Sequence, residues 1–113
     1  MATTEDIRPL LKDVLGDFAH ELTALLTDHG EADLATQVPH LRLFGRCRCG
    51  DEEFCATVYT APRPERGWGP EHKNIPLDPI EGFLVLDVVN EEIVCIEVLY
   101  RDDLRARLLR LFP

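Results

Sequence analysis

The sequence predicts one α+β domain, residues 1–113, in which a long helix, a short helix and a C-terminal helix cover one face of a four-stranded antiparallel sheet built from two β-hairpins. Three observations predict this class. Apolar residues recur at three-four spacing near the start of the chain, the period changes to two after residue 40, and a second run of strand residues precedes a final helical segment. With 113 residues, 45% of them hydrophobic, the chain can bury one core.

A long amphipathic helix is predicted over residues 4–28, because apolar side chains follow one helical face there. They are Ile7, Leu10, Leu11, Val14, Leu15, Phe18, Leu22, Leu25 and Leu26. Thr3 or Thr4 suits the N-terminal cap, and Pro9 is tolerated only in a first turn. The regular part of the helix can therefore begin as late as Arg8.

Two further helices follow from similar signals. Gly30 ends the first helix, and the segment from Glu31 to Gln37 is expected to be helical up to the break that Pro39 imposes. The C-terminal helix is expected to follow Arg101. Its inward-facing residues are predicted to be Leu104, Leu108, Leu109 and Phe112.

The first hairpin contains three of the chain's four cysteines within nine residues. One strand face carries Leu41, Leu43, Gly45, Cys47 and Cys49, and the other carries Arg42, Phe44, Arg46 and Arg48. If residues 50–53 form the loop, Arg48 faces Cys55 on the returning strand. That register places Cys55 with the arginines, and it places the other two thiols with Ala56 and Val58.

The second hairpin is predicted as Gly82 to Val89, a turn at residues 90–92, and Ile93 to Tyr100. Both strands are apolar at nearly every position, so we expect them at the centre of the sheet. The connection between the hairpins, residues 61–82, contains five prolines and three glycines, which predicts that it has no regular element. A connection of this length is often functional.

The chain is acidic, with a formal net charge of -9. This argues against a nucleic-acid partner, because duplex binding needs dense positive charge. Of the segments 1–39, 40–73 and 74–113, only the middle one is not acidic, with six basic against five acidic residues. The N-terminus does not resemble a signal peptide, and no stretch reaches the roughly 20 apolar residues of a membrane span. We therefore expect a cytoplasmic protein without membrane contact, in which thiols stay reduced.

The second hairpin has a recognisable pattern, with Leu86-Asp87-Val88 before the turn and Cys95-Ile96-Glu97-Val98-Leu99 after it. This stretch, from Phe83 to Asp103, resembles the hairpin of small uncharacterised bacterial domains. It differs from their pattern at Asn90-Glu91, where they have an Asn-Gly type of turn, and at Cys95, where they have glycine. The resemblance covers about a fifth of the chain. It implies a bacterial origin and no particular activity.

A candidate zinc site consists of Cys47, Cys49 and Cys55, completed by Cys95 or His40. Zinc binds about four nitrogen or sulfur ligands, and clustered cysteines can supply them. The spacing is one residue shorter than the common knuckle pattern Cys-x-x-Cys-Gly. Two alternatives stay open: the cysteines are small buried hydrophobic residues, or Cys55 is a redox-active thiol whose pKa the neighbouring arginines lower.

The sequence contains no catalytic signature. Phosphate-binding glycine loops, the His-Glu-x-x-His metalloprotease motif and the serine elbow are all missing from it. His72 is distinct among the four histidines because it lies in the long connection near Trp68. An enzyme that uses His72 with a loop carboxylate is therefore ranked third, and no catalytic residue is assigned.

The preferred function is a small, acidic, non-catalytic binding or regulatory protein, antitoxin-like or immunity-like. Arginine and tyrosine are enriched where binding energy concentrates. The predicted binding residues are Arg42, Phe44, Arg46, Arg48, Tyr59, Trp68 and His72. An acidic protein or a small anion fits this surface, and a homodimer is left open. No cofactor is expected for this function. The alternative function is a zinc-binding or thiol-redox module on Cys47, Cys49 and Cys55, for which zinc is the possible cofactor.

Overall fold

The computed structural model describes residues 8–49 and 53–113. In it, a five-stranded antiparallel sheet packs against helices. The helices are α1 (Leu11–Val14), α2 (Gly16–Asp28), α3 (Ala32–Ala35) and α4 (Asp102–Leu111), and a 3-10 turn spans Val38–His40. The strands are β1 (Gly45–Arg46), β2 (Val58–Tyr59), β3 (His72–Leu77), β4 (Phe83–Val89) and β5 (Glu92–Leu99). Their order in the sheet is β1-β2-β5-β4-β3. The predicted α+β class is confirmed, but the described sheet has five strands instead of four.

The predicted long helix is instead two helices, and it begins later than expected. Before α1 the chain is extended: Leu10 bridges to Arg42, the amide of Leu11 donates to the carbonyl of Leu41, and that of Leu43 donates to the carbonyl of Pro9. Strand-like pairing thus uses backbone groups that a helix would need. Leu15 then interrupts the helix with φ -135° and ψ 52°. The proposed caps Thr3 and Thr4 lie outside the described residues.

The long connection contains an additional strand, so the prediction of no regular element there is wrong. β3 pairs along its whole length with β4, from His72 opposite Val89 to Leu77 opposite Leu84. β3 lies at the edge of the sheet, so only one of its sides needs backbone partners. Pro76, which has no N–H group, is tolerated there for this reason.

The second hairpin is confirmed, and its strands β4 and β5 lie inside the sheet. Asn90 and Glu91 form a tight turn with φ 50° and 67°, the positive angles of the turn type that suits twisted antiparallel strands. A β-bulge between Asp87 and Val88 then shifts the pairing, so that Asp87 lies opposite Cys95.

The first hairpin differs from its predicted register by one residue. Gly45 lies opposite Tyr59 and Arg46 opposite Val58. Because side chains alternate between the two faces of a strand, a one-residue shift moves Cys55 to the other face. Two predictions are therefore wrong: Cys55 does not join the arginines, and Cys47 and Cys49 do not share the core face of Ala56 and Val58. Residues 50–52 of the expected loop lie outside the described ranges.

The core lies between the helices and one face of the sheet. The sheet contributes Val58, Ile75, Leu77, Leu84, Leu86, Val88, Ile93, Ile96 and Val98, and the helices contribute Leu11, Phe18, Leu22, Leu26, Leu34, Leu104 and Leu108. Two charge pairs join α4 to α2: the guanidinium group of Arg101 donates to both carboxylate oxygens of Glu21 at 2.9 Å, and that of Arg107 binds Asp17 in the same way. None of the described helices has the length and apolarity needed to cross a bilayer. The opposite face of the sheet, called the polar face below, carries His72, Asn74, Asp87 and Glu97 among apolar side chains.

Candidate functional site

Three thiols meet beside the edge of the sheet formed by β1 and β2. The Sγ atoms of Cys47, Cys49 and Cys55 all lie within 4.8 Å of one another, and each residue is half-buried. The backbone positions two of them: the amide of Cys47 donates to the carbonyl of Thr57 at 2.9 Å, and Cys55 forms a β-bridge with Leu99 of β5. None of the four cysteines forms a disulfide.

The three thiols line a cavity of about 340 Å³ on the polar face of the sheet. The other lining residues come from β2, β4, β5 and the long connection: Thr57, Tyr59, Trp68, Asp87, Cys95, Glu97 and Leu99. All four cysteines predicted as metal ligands therefore lie around one cavity. His40 does not line this cavity; it is an exposed residue in the 3-10 turn and lines a separate depression with Arg42.

A buried carboxylate lies at the inner side of this cavity. Asp87 is only 4% exposed. Its Oδ1 atom lies 2.6 Å from Nε2 of His72 and accepts a hydrogen bond from the side-chain amide of Asn74 at 2.7 Å. With Asp87 ionised, His72 carries its proton on Nε2 and donates it. His72 is thus a strand residue of β3 held by a buried acid, whereas the sequence placed it in a loop.

Burial and Asp87 together change the protonation of the neighbouring groups on β5. Burial, followed by the hydrogen bond to Asp87 and its negative charge, raises the pKa of Glu97 to about 7. Burial is also the main reason that the pKa of the Cys95 thiol is raised, with Asp87 adding to the effect. Both groups are therefore neutral over a wider pH range than usual.

Within the thiol cluster, the Cys47 thiol is not activated for redox chemistry. Burial raises the pKa of Cys47 to about 11; the backbone hydrogen bond from Cys49 acts against this rise, and the Cys49 and Cys55 thiols add to it. A thiol with a raised pKa carries little thiolate at neutral pH and reacts slowly. These observations concern Cys47 alone, so the redox-active thiol predicted from the sequence at Cys55 stays a prediction.

Aromatic side chains form one wall of the cavity. The ring of Trp68 lies 6.3 Å from that of Tyr59 and 6.5 Å from that of His72, measured between centroids. Trp68 is half-buried, so it holds the long connection against the polar face of the sheet.

The predicted arginine face is divided between two places. Phe44, Arg46, Arg48 and Tyr59 line a second cavity at the sheet edge, together with Arg8 and Arg63. Arg42 does not line this cavity, although its Nη1 atom donates to the carbonyl of Arg8. Trp68 and His72 belong to the thiol side of the molecule.

Sequence reasoning missed Asp87 and Glu97, which line the thiol cavity, and Asn74, which donates a hydrogen bond to Asp87. The sequence did contain a signal for Asp87 and Glu97, because each is an acid within an apolar strand. An acid in a central strand is buried and needs polar partners. Arg8 and Arg63 were also missed, and their distance along the chain from the first hairpin left no local signal.

No protein-family model, curated protein or solved structure matches this chain significantly. The bacterial origin implied by the second hairpin therefore stays an expectation.

The raised pKa of Glu97 predicts a pH-dependent stability. The folded state binds this proton more tightly than the unfolded chain, whose pKa is near 4.5, so the contribution is present below pH 4.5 and lost as the pH rises to about 7. Glu97→Gln should make the stability fall less between pH 5 and pH 8, as measured by the urea midpoint. Glu92→Gln, at an exposed position on the same strand, should behave like the unaltered protein. An identical pH dependence in all three proteins would contradict this assignment.

Proposed function

We propose that the protein is a zinc-binding module in which Cys47, Cys49 and Cys55 hold one metal ion. The observation that carries this proposal is the approach of the three Sγ atoms to within 4.8 Å of one another. Thiolates are preferred ligands of zinc, and three protein ligands with an open fourth position are typical of zinc sites that also bind solvent or a substrate.

The distances support a site that closes with small movements. A Zn–S bond of about 2.3 Å at tetrahedral angles places two ligand sulfurs roughly 3.8 Å apart. Sulfurs within 4.8 Å of each other need to approach by no more than about 1 Å. Side-chain rotation of half-buried residues can supply such a shift.

An ion at this position would stabilise the local fold. Cys47 follows β1, and Cys55 precedes β2 and bridges to β5, so the metal would join both ends of the connection between the first two strands. β1 and β2 have two residues each. Strands this short contribute little pairing energy, so a metal cross-link would add considerably to the stability of this edge.

The fourth coordination position would face the cavity, which holds Cys95, Asp87 and Glu97. Asp87 already has two close partners in His72 and Asn74, and Cys95 is buried with a hydrogen bond to Asp87. A water molecule or a small ligand in the cavity is therefore the proposed fourth partner.

Metal titration tests this function directly. Reduced protein stripped with a chelator should take up one zinc ion per chain with a Kd below about 1 μM, measured by competition with a chromophoric chelator. Its melting temperature should rise with zinc concentration, because the ion binds the folded state. Cobalt in place of zinc should produce a thiolate-to-metal charge-transfer band. Failure to take up stoichiometric zinc would refute the proposal.

The binding-protein function preferred from the sequence remains a second candidate. It is favoured by the cavity that Phe44, Arg46, Arg48 and Tyr59 line, since these are four of the residues predicted to bind a partner. An antitoxin-like or immunity-like role stays a prediction.

A further inference from the structure

We propose that the second cavity, at the sheet edge beside β1, binds a small molecule through a diphosphate or similarly charged phosphate group. This site is separate from the thiol cluster, and the inference does not depend on zinc binding. The cavity has a volume of about 330 Å³. That volume lies at the lower end of the range for small-molecule sites, and the concave shape favours a small anion over an acidic protein surface.

The lining of this cavity is strongly basic. Its residues are Arg8, Phe44, Gly45, Arg46, Arg48, Tyr59, Pro62 and Arg63. The four arginines contribute four positive charges and no described lining residue is acidic, although the whole chain has a net charge of -9. Converging like charges repel one another, so an anion that neutralises them gains considerable electrostatic energy.

Among the described residues, no aspartate or glutamate side chain forms an ion pair with these four arginines. The ion pairs that α2 forms with the C-terminal region involve other arginines, Arg101 and Arg107. The arginines of the cavity donate mainly to backbone carbonyls: Arg8 to that of Phe44 at 3.2 Å, and Arg46 to that of Phe112 at 2.6 Å. These bonds orient the guanidinium groups without cancelling their charge.

Some guanidinium N–H groups of these arginines remain available to a ligand. A guanidinium group has five N–H donors, and Arg48 uses one Nη atom in a single bond to the carbonyl of Pro113. The Nε atom of Arg8 is buried and has no hydrogen-bond partner among the described residues. A buried donor without an acceptor is costly, so a small movement of this guanidinium group toward a bound anion would be favourable.

Two arginines are also held against aromatic rings. The guanidinium carbon of Arg8 lies 4.2 Å from the centroid of the Phe44 ring, and that of Arg63 lies 5.8 Å from the centroid of Tyr59. Stacking restricts the planar groups while leaving their N–H edges available. Several guanidinium forks around one point suit phosphate oxygens, which accept bidentate hydrogen bonds in several directions.

Calorimetric titration with inorganic pyrophosphate tests this site. We expect one binding site per chain, an affinity that weakens with increasing salt, and a loss of at least about 10-fold in the Arg63→Glu and Arg48→Glu variants. Both residues are exposed, so the melting temperature of each variant should stay close to that of the unaltered protein. Arg66→Glu is the matched control: Arg66 is exposed in the same connection, has the same charge change and does not line the cavity.

The outcomes separate the possible ligands. Binding that Arg63→Glu and Arg48→Glu weaken while Arg66→Glu does not would support the proposal. No binding of pyrophosphate, equal weakening in all three variants, or tighter binding of citrate than of pyrophosphate would overturn it. Zinc uptake by the same protein samples reports on the thiol cluster independently.

Discussion

Replacing Cys55 with serine is expected to abolish stoichiometric zinc binding, lowering the affinity by about 100-fold or more. Cys55 lies at the β2 end of the segment that connects β1 to β2, whereas Cys47 and Cys49 lie at its β1 end. The Sγ atom of Cys55 lies within 4.8 Å of those of Cys47 and Cys49. A serine hydroxyl is a poor zinc ligand, so the remaining two thiols would bind the ion only weakly. Elemental analysis and chelator competition on the purified variant measure the loss.

Cys95→Ser is the matched control for this experiment. Cys95 lies in the same cavity but outside the cluster of three sulfurs, and it is buried at 3% exposure. This variant should still bind one zinc ion per chain, even if its stability falls. If Cys95→Ser lost zinc while Cys55→Ser retained it, the three-sulfur assignment would be wrong.

Replacing Gly82 with alanine is expected to lower the free energy of unfolding by about 3 kcal/mol. Gly82 precedes β4 with φ +74°, an angle that costs other residues about 1–2 kcal/mol. A Cβ atom there would also lie 2.5 Å from the backbone oxygen of Leu99 and 2.9 Å from Cγ of Arg101. The carbonyl belongs to the central strand β5, so it cannot move without disturbing the sheet.

Gly69→Ala separates the two contributions. Gly69 has φ +87°, but no atom lies within 4 Å of the position of its Cβ. This variant carries the backbone cost alone, about 1 kcal/mol. Chemical denaturation of both variants should therefore give a clearly larger loss for Gly82→Ala. Equal losses would show that the contact with Leu99 is not restrictive.

Local sequence signals predicted the second hairpin and the C-terminal helix because both depend on short-range chemistry. Asn90 and Glu91 lie between two apolar runs, and strands joined by so short a turn must pair with each other. In α4, Leu104 and Leu108 recur at helical spacing and are buried as expected. The amphipathic face of the N-terminal segment was also predicted correctly, but its first turn was not. There, pairing with residues 41–43 competes with the helix.

The sequence predicted which residue types the candidate site contains but not how they are arranged. The cluster of cysteines was visible in the sequence, but the assumed loop length gave a register one residue away from the observed one. That difference decides whether Cys55 joins the other two thiols. In the same way, the bulge at which Val94 is the extra residue of β5 places Asp87 opposite Cys95, a pairing that a continuous hairpin register would not give.

The sequence by itself therefore determined the fold class, the central hairpin and the residue types available for chemistry, because periodicity and turn residues act over a few positions. Only the tertiary structure decided which of those residues meet. The edge strand that carries His72, the thiol cluster and the gathering of Arg8 with Arg63 all depend on pairings between distant segments. A single-residue change of register or one bulge alters which face a side chain occupies, and the energy that selects the register comes from the whole buried core.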